Sequence, residues 1–220
     1  MSDHCKERPI LFNAEMVNAI LSGRKTQTRR IMRDQPEVIP PEDECGVPGY
    51  WIPYNAGKTM VRNEMMTIAC PLGMRGDQLW VRETWAVSSI YDGCPPRDIN
   101  PGSKPGWCGI RYAASHEWIG IKGRPSIHMP RWASRINLKI TDVRVERLNN
   151  ISEENAKAEG AQKYDISRFT TDEINLLDAP LKNPDTPYTN GFALLWESCY
   201  GSGSWAANPF VWVIGFEKIN

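Results

Sequence analysis

The sequence predicts an α+β protein, a small mixed β-barrel with two or three short helices and long loop insertions. Two observations carry this prediction. Short segments that alternate apolar and polar residues recur along the 220-residue chain, whereas few segments show helical spacing. Long segments rich in Pro and Gly separate them, so strand and helix do not alternate as they do in a parallel α/β sheet.

The first half of the chain contains three predicted strands and one helix. Residues 10–12 form a short strand, and Asn13 then caps a helix that ends at Gly23. The basic segment 26–32 is compatible with a second strand. A third strand, 78–84, follows the turn signal Gly76-Asp77.

The second half contains the clearest strand, between residues 135 and 148. Its apolar alternation changes parity at Thr141-Asp142, which predicts a bulge or a bend. Ser152 caps a short helix that ends at Gly160, and a further helix is predicted at 189–199. The final strand, 209–218, is apolar on both faces and is therefore expected to be central. A short strand is also expected at 107–113.

Composition limits the classes of partner. The chain has 26 basic and 26 acidic residues, so any affinity for nucleic acid has to come from a local patch. No apolar segment reaches membrane-spanning length, and no signal peptide is recognisable, so we expect a soluble, cytoplasmic protein without a membrane partner.

The six cysteines include no Cys-x-x-Cys pair, and reduced thiols are the simplest interpretation. A zinc site is the alternative, although the spacing gives it little support. It would use Cys45, Cys70, Cys94 and Cys108. We therefore expect no metal and no organic cofactor.

The most informative segment is Ser22–Arg30. Its nine residues contain three Arg, one Lys and three hydroxyl side chains, and no acid. Such a segment can hold a phosphate or polarise a carbonyl group. One interpretation is therefore a solvated, phosphate-binding edge without catalysis.

Three short motifs, in this order, resemble the ASCH domain, a member of the PUA-like barrel superfamily. They are Gly23-Arg24-Lys25-Thr26-Gln27-Thr28-Arg29, Gly76-Asp77-Gln78-Leu79, and the helical segment from Ile151 to Gly160. The resemblance implies a single PUA-like domain over residues 1–220. Three insertions, at approximately 34–76, 86–130 and 161–187, lie outside the resemblance.

Small bacterial members of this family remove the acetyl group of N4-acetylcytidine, and other members bind or cleave RNA. The resemblance implies that Lys25 is the proton acceptor, Thr28 the nucleophile and Glu159 the proton donor. It also implies a modified pyrimidine nucleoside or single-stranded RNA as the ligand. Protein partners are not predicted.

Simple chemistry supports part of this assignment. A threonine hydroxyl needs a base to take its proton, and a lysine can serve if its pKa is lowered. The neighbouring Arg24, Arg29 and Arg30 would lower it, and they are expected to contact the substrate. One difficulty is that residues three apart on a regular strand face opposite sides, so Lys25 and Thr28 converge only if a turn or bulge lies between them.

Glu159 falls in the last turn of its predicted helix, where the helix dipole opposes a negative charge by about 0.3–1 kcal/mol. This position favours a carboxyl group that can donate a proton. The alternative is an ordinary, solvated glutamate at a helix end.

Four further residues are candidates for binding the substrate. Glu83 falls on the apolar face of its strand, where it either lines a cavity or pairs with an arginine such as Arg131. The cluster His128, Arg131 and Trp132 can stack on a base, although a lone histidine is more often structural. Trp85 is one of six tryptophans in or beside loops that can form a stacking wall. Three others are predicted to be core residues: Trp80, Trp196 and Trp212.

The favoured hypothesis is thus hydrolysis of a linear amide in an acylated nucleoside. Two alternatives remain open. One is a non-catalytic RNA-binding module, in which the basic run contacts phosphates. The other is a metal-independent ribonuclease that uses the same lysine.

Overall fold

The structure is a computed structural model that describes residues 5–39, 49–54, 57–59, 70–99, 109–116, 122–167 and 183–219. The described residues contain ten strands and three α-helices. The strands are β1 Glu7–Leu11, β2 Gln27–Ile31, β3 Glu37–Ile39, β4 Gly49–Tyr54, β5 Gly57–Thr59, β6 Gln78–Arg82, β7 Trp85–Ala86, β8 Arg111–Tyr112, β9 Asn137–Arg147 and β10 Phe210–Ile219. The α-helices are α1 Ala14–Leu21, α2 Glu153–Ala158 and α3 Pro187–Tyr200.

The main sheet has five strands in the order β1-β6-β9-β10-β2. Strand β1 is parallel to β6, whereas the β6–β9 and β10–β2 pairs are antiparallel. Strand β10 lies inside the sheet, as its continuous apolar sequence predicted. The mixed α+β class with few helices is confirmed. The described strands form an open sheet with β1 and β2 at its edges, so the predicted closure into a barrel is not found in them.

The change of parity predicted in β9 is confirmed. Leu138 and Ile140 are buried on one side of Thr141 and Asp142, which are both exposed, and Val143 is buried again on the other side. The strand nevertheless runs without a break from Asn137 to Arg147. After the two consecutive exposed residues, the buried residue falls at an odd instead of an even position, and the strand does not end.

The predicted caps position the first two helices. The side chain of Asn13 accepts a hydrogen bond from the backbone N–H of Met16 at 2.8 Å, at the start of α1. Ser152 does the same for Asn155 at 3.2 Å, at the start of α2. Gly160 follows α2 with φ of 81°, a conformation that a glycine adopts without strain.

The chain divides into two compact units. The first consists of Met1–Gly23, Arg75–Thr141 and Phe216–Asn220, and the second of Arg24–Met74 and Asp142–Gly215. The first unit has a hydrophobic cluster centred on Trp85 and Met129, and the second has one centred on Phe192 and Trp196. The three tryptophans predicted to be core residues, Trp80, Trp196 and Trp212, are all buried.

The predicted strand at 78–84 ends earlier, at Arg82. Of the strand predicted at 107–113, the structure describes residues 109–113, and among these Arg111–Tyr112 form a strand. Strands β3 to β5 lie in the first predicted insertion, where weak periodicity gave no signal. Parts of the three insertions lie outside the described residues, namely 40–48, 55–56, 60–69, 100–108, 117–121 and 168–182. In the part of the chain that the structure describes, no helix has the length and apolar character needed to cross a membrane.

Candidate active site around Lys25 and Glu159

The candidate site lies in the second unit, where the segment leading into β2 runs beside the end of α2. The backbone N–H of Thr26 donates to the carbonyl of Ala158 at 2.8 Å, and Lys25 and Glu159 form an isolated antiparallel β-bridge. The side chain of Gln27 donates to the carbonyl of Asn155 at 2.8 Å. These bonds fix the basic segment against the C-terminal end of a helix.

Lys25 and Glu159 form a buried pair. The Lys25 Nζ atom donates to Oε2 of Glu159 at 2.8 Å and to the backbone carbonyl of the same residue at 2.7 Å. Each residue is only 2% exposed. The sequence predicted Glu159 in the last turn of its helix, and the structure places it one position further, as the C-cap residue of α2. The helix dipole disfavours a carboxylate at this position, and the lysine ammonium group offsets that effect because it lies within hydrogen-bond distance.

Arg29 is the second cation at this carboxyl group. Its Nη1 atom donates to Oε1 of Glu159 at 3.0 Å, and its Nη2 atom donates to Oε2 of Glu146 at 2.8 Å. Arg29 is 3% exposed, and its guanidinium group lies 6.0 Å from the centre of the Phe192 ring. Both oxygens of Glu159 therefore accept hydrogen bonds from cationic side chains.

The network continues along β9. Arg144 donates to Glu146 at 2.6 Å and to Asp142 at 3.0 Å. Acids and bases alternate along this chain of contacts, with Lys25, Arg29 and Arg144 matched by Glu159, Glu146 and Asp142. The formal charges balance within the network, whose buried members are Lys25, Arg29 and Glu159.

The pKa of Lys25 is lowered from its ordinary value of 10.5. Burial is the main cause, because removal from water disfavours the ammonium form. The carboxylate of Glu159 opposes this shift, whereas Arg30 and Arg29 add to it by charge repulsion. A lysine in such surroundings gives up its proton more readily than one in water, which a general base requires.

Thr28 is 3% exposed and lies opposite Ile214 in the β2–β10 pair. Lys25, Gln27 and Arg29 alternate along the chain, and all three contact the segment from Asn155 to Glu159. Because side chains alternate across a strand, Thr28 faces the other side of β2. The structure thus brings together Lys25 and Glu159, and no described hydrogen bond joins Thr28 to either.

The other two basic residues of the segment have different surroundings. Arg24 is exposed, whereas Arg30 is half-buried and lies opposite Trp212 in β10. Because Arg30 is two positions after Thr28 in β2, their side chains lie on the same face of the strand. Of the three arginines predicted to bind the substrate, Arg29 is therefore held by carboxylates, and Arg24 is the one exposed to solvent.

Glu83, in the first unit, forms an ion pair with Arg135. The Nε and Nη2 atoms of this arginine donate to the two carboxylate oxygens at 2.8 and 2.9 Å, and Glu83 is 1% exposed. The suggested partner, Arg131, instead pairs with Glu7 at 3.0 Å near the surface. The structure thus shows an arginine pair for Glu83, with a different arginine from the one named.

Trp85 and His128 differ in accessibility. Trp85 is fully buried and packs edge-to-face on Trp132 at 5.8 Å between ring centres, so it presents no open face for stacking on a base. His128 is exposed and lines a cleft of about 440 Å³ in the first unit. The same cleft contains Arg82 and Arg97 together with three prolines. Of these two residues, only His128 is accessible to a ligand.

Sequence reasoning missed Glu146, Arg144 and Arg135. A signal for the first two was present, because Asp142, Arg144 and Glu146 occupy every second position of a strand and therefore share one face. Among the described residues no group of three His, Cys, Asp or Glu side chains is placed to hold a metal ion. Two cysteines of the alternative zinc set, Cys45 and Cys108, lie outside the described residues.

Comparison of the chain with protein-family models, with curated proteins and with solved structures finds no match. Its function has therefore to be inferred from its own residues.

Proposed function

We propose that the protein is an ASCH-like hydrolase of the PUA-like superfamily that cleaves the exocyclic amide of an acylated pyrimidine nucleoside, of the N4-acetylcytidine type. The observation that carries the proposal is the buried Lys25–Glu159 contact of 2.8 Å. The two residues belong to separate motifs of the family resemblance, and the fold joins them directly.

Amide hydrolysis needs a base that activates the nucleophile and an acid that protonates the leaving nitrogen. Movement of one proton from Lys25 to Glu159 produces both groups at once, a neutral amine and a carboxylic acid. Burial favours the neutral amine, because it lowers the pKa of Lys25. In the forward reaction the amine accepts the proton of the nucleophile, and the acid passes its proton to N4 of the base. The products are the free nucleoside and acetate.

The nucleophile is either the Thr28 hydroxyl or a water molecule. If Thr28 attacks, its hydroxyl oxygen forms an acyl ester that water then hydrolyses. The position of Thr28 on the opposite face of β2 from Lys25 opposes this route. A water molecule activated directly by the lysine gives the same products without an acyl intermediate.

RNA binding without catalysis is the second candidate. The cleft around His128 favours it, because Arg82, Arg97 and the imidazole line one concave surface. The basic segment favours it less. Lys25 and Arg29 are already engaged by carboxylates, so a phosphate would have to displace Glu159 or Glu146 to reach them. We therefore place hydrolysis first.

One experiment distinguishes the candidates. The pure protein is incubated with N4-acetylcytidine and, separately, with single-stranded RNA, and the products are separated by chromatography. Release of cytidine and acetate supports hydrolysis. Shortened RNA supports the ribonuclease alternative, which uses the same lysine. Retention of intact RNA, weakened strongly by salt and without any product from the nucleoside, supports the binding module.

A further inference from the structure

A second polar cleft in the first unit is lined by none of the residues proposed above to bind a ligand. It has a volume of about 370 Å³, in the range of small-molecule sites. Val87 forms an apolar part of its wall and is buried. Its polar lining consists of Ser88, Ser89, Asp92, Arg111 and Lys122.

The two cations of this cleft have no partner among the described residues. The structure records no ion pair or side-chain hydrogen bond for Arg111 or Lys122, and both are exposed. Elsewhere in the same unit, Arg131 and Arg135 are each paired with a carboxylate. Asp92 lines the same cleft, yet no ion pair joins it to either cation. Two positive side chains therefore face a concave surface with their hydrogen-bond donors available.

The segments that carry these groups are tied to a packed core. Arg111 lies on β8 and pairs with Ala86 of β7. Ala86 directly precedes Val87, the first of three consecutive residues that line the cleft. Arg124 fixes the adjoining loops, since its side chain donates to the carbonyl of Cys94 at 2.9 Å and its backbone pairs with Trp85. Trp85 is fully buried. The cleft is thus supported by residues that hold its shape, which reduces the cost of ordering it around a ligand.

We propose that this cleft binds a small phosphate monoester that carries a hydroxyl group, such as a sugar phosphate. Arginine presents a planar pair of donors that matches phosphate oxygens, and lysine adds a point charge. The hydroxyls of Ser88 and Ser89 are further donors. Asp92 disfavours a second anionic group and accepts a hydrogen bond from a ligand hydroxyl. This proposal does not depend on the amide hydrolysis proposed above.

Titration calorimetry on the full chain at constant ionic strength tests the proposal, with ribose 5-phosphate, inorganic phosphate, ribose and ribonate as probes. Saturable binding of ribose 5-phosphate is expected, with weaker binding of inorganic phosphate and none of ribose. Arg111→Gln and Lys122→Gln should each weaken binding about tenfold or more, because a hydrogen bond to a charged group is lost. Arg97→Gln is the matched control, since this exposed arginine lines the other cleft.

The role of Asp92 has its own readout. Asp92→Asn should strengthen the binding of inorganic phosphate, because a negative charge is removed, and should reduce the preference for ribose 5-phosphate over phosphate. The side chains concerned are exposed or half-buried, so circular dichroism should show folded variants. Absence of saturable binding, equal affinity in wild type and Arg111→Gln, or equal affinity for ribonate and ribose 5-phosphate would each overturn the proposal.

Discussion

Lys25 and Glu159 are 134 residues apart in the sequence, and their side chains meet at 2.8 Å with both residues almost fully buried. Arg29 completes the arrangement by donating to the other carboxylate oxygen. The Glu159 carboxylate therefore accepts from two cations, of which only Arg29 has a second carboxylate partner, Glu146. This unequal arrangement leads to specific expectations for stability, for pH dependence and for activity.

Glu159→Gln should destabilise the protein more than Lys25→Met. Removing the carboxylate leaves the buried Lys25 without its anionic partner and Arg29 with Glu146 alone, at a cost of about 3–5 kcal/mol. In Lys25→Met the carboxylate keeps Arg29, and the methionine fills the space of the lysine stem, so the cost is smaller. Urea unfolding of the two variants measures both values. If Glu159→Gln loses no more free energy of unfolding than Lys25→Met, the carboxylate is not what stabilises the two buried cations.

The stability of the wild type relative to Lys25→Met should depend on pH. The pKa of Lys25 in the folded protein lies below 10.5, so the unfolded chain binds more protons between the two values. Stability from this group is therefore fully present above pH 10.5 and falls as the pH drops through the lowered folded pKa. Urea unfolding at several alkaline pH values should show that the free energy of unfolding of the wild type increases relative to that of the variant as the pH rises. A constant difference would mean that Lys25 titrates normally.

Arg135→Gln should cost much more stability than Arg131→Gln. The first substitution leaves the 1%-exposed Glu83 without its cationic partner, at a cost of about 3 kcal/mol. The second removes an ion pair whose side chains are 42% and 47% exposed, worth about 0–1 kcal/mol. Thermal and urea unfolding of the two variants provide the comparison. Similar losses would indicate that the pair with Arg135 is not what stabilises the buried carboxylate.

Thr28→Val and Thr28→Ser separate the two possible nucleophiles. Valine has nearly the same shape as threonine and lacks the hydroxyl, whereas serine keeps it. If Thr28 attacks the amide, Thr28→Val lowers kcat by about a hundredfold or more and Thr28→Ser retains activity. The opposite face of β2 leads us to expect that Thr28→Val retains most of the activity and that water is the nucleophile. Initial rates with N4-acetylcytidine decide between them.

The local features of this chain could be predicted from sequence because they depend on neighbouring residues. Asn13 and Ser152 cap helices through bonds to residues three positions on, and the parity change at Thr141-Asp142 is a property of one strand. The central position of β10 followed from its continuous apolar sequence. Each of these signals is contained within about a dozen residues.

Long-range features were harder to predict. Barrel closure depends on which strands pair, and the alternation within one strand does not determine this. The partner of Glu83 could be predicted only as an arginine such as Arg131, because Arg131 and Arg135 are close in sequence and only the fold determines which guanidinium reaches the carboxylate. Lys25 and Glu159 were linked in advance through the family resemblance alone.

The most direct test of the central claim is acetate release from N4-acetylcytidine by wild type, Lys25→Arg and Lys139→Met. Arginine keeps a positive charge beside Glu159 and cannot act as a base at neutral pH. Lys139 is half-exposed, and its Nζ atom lies 3.7 Å from Oε1 of Glu217. Its replacement is a control because it removes a lysine that the proposed site does not use. We expect wild type and Lys139→Met to release acetate at similar rates. We expect the rate to fall by about a hundredfold or more in a folded Lys25→Arg. No acetate release by the wild type, or full activity in Lys25→Arg, would contradict the account.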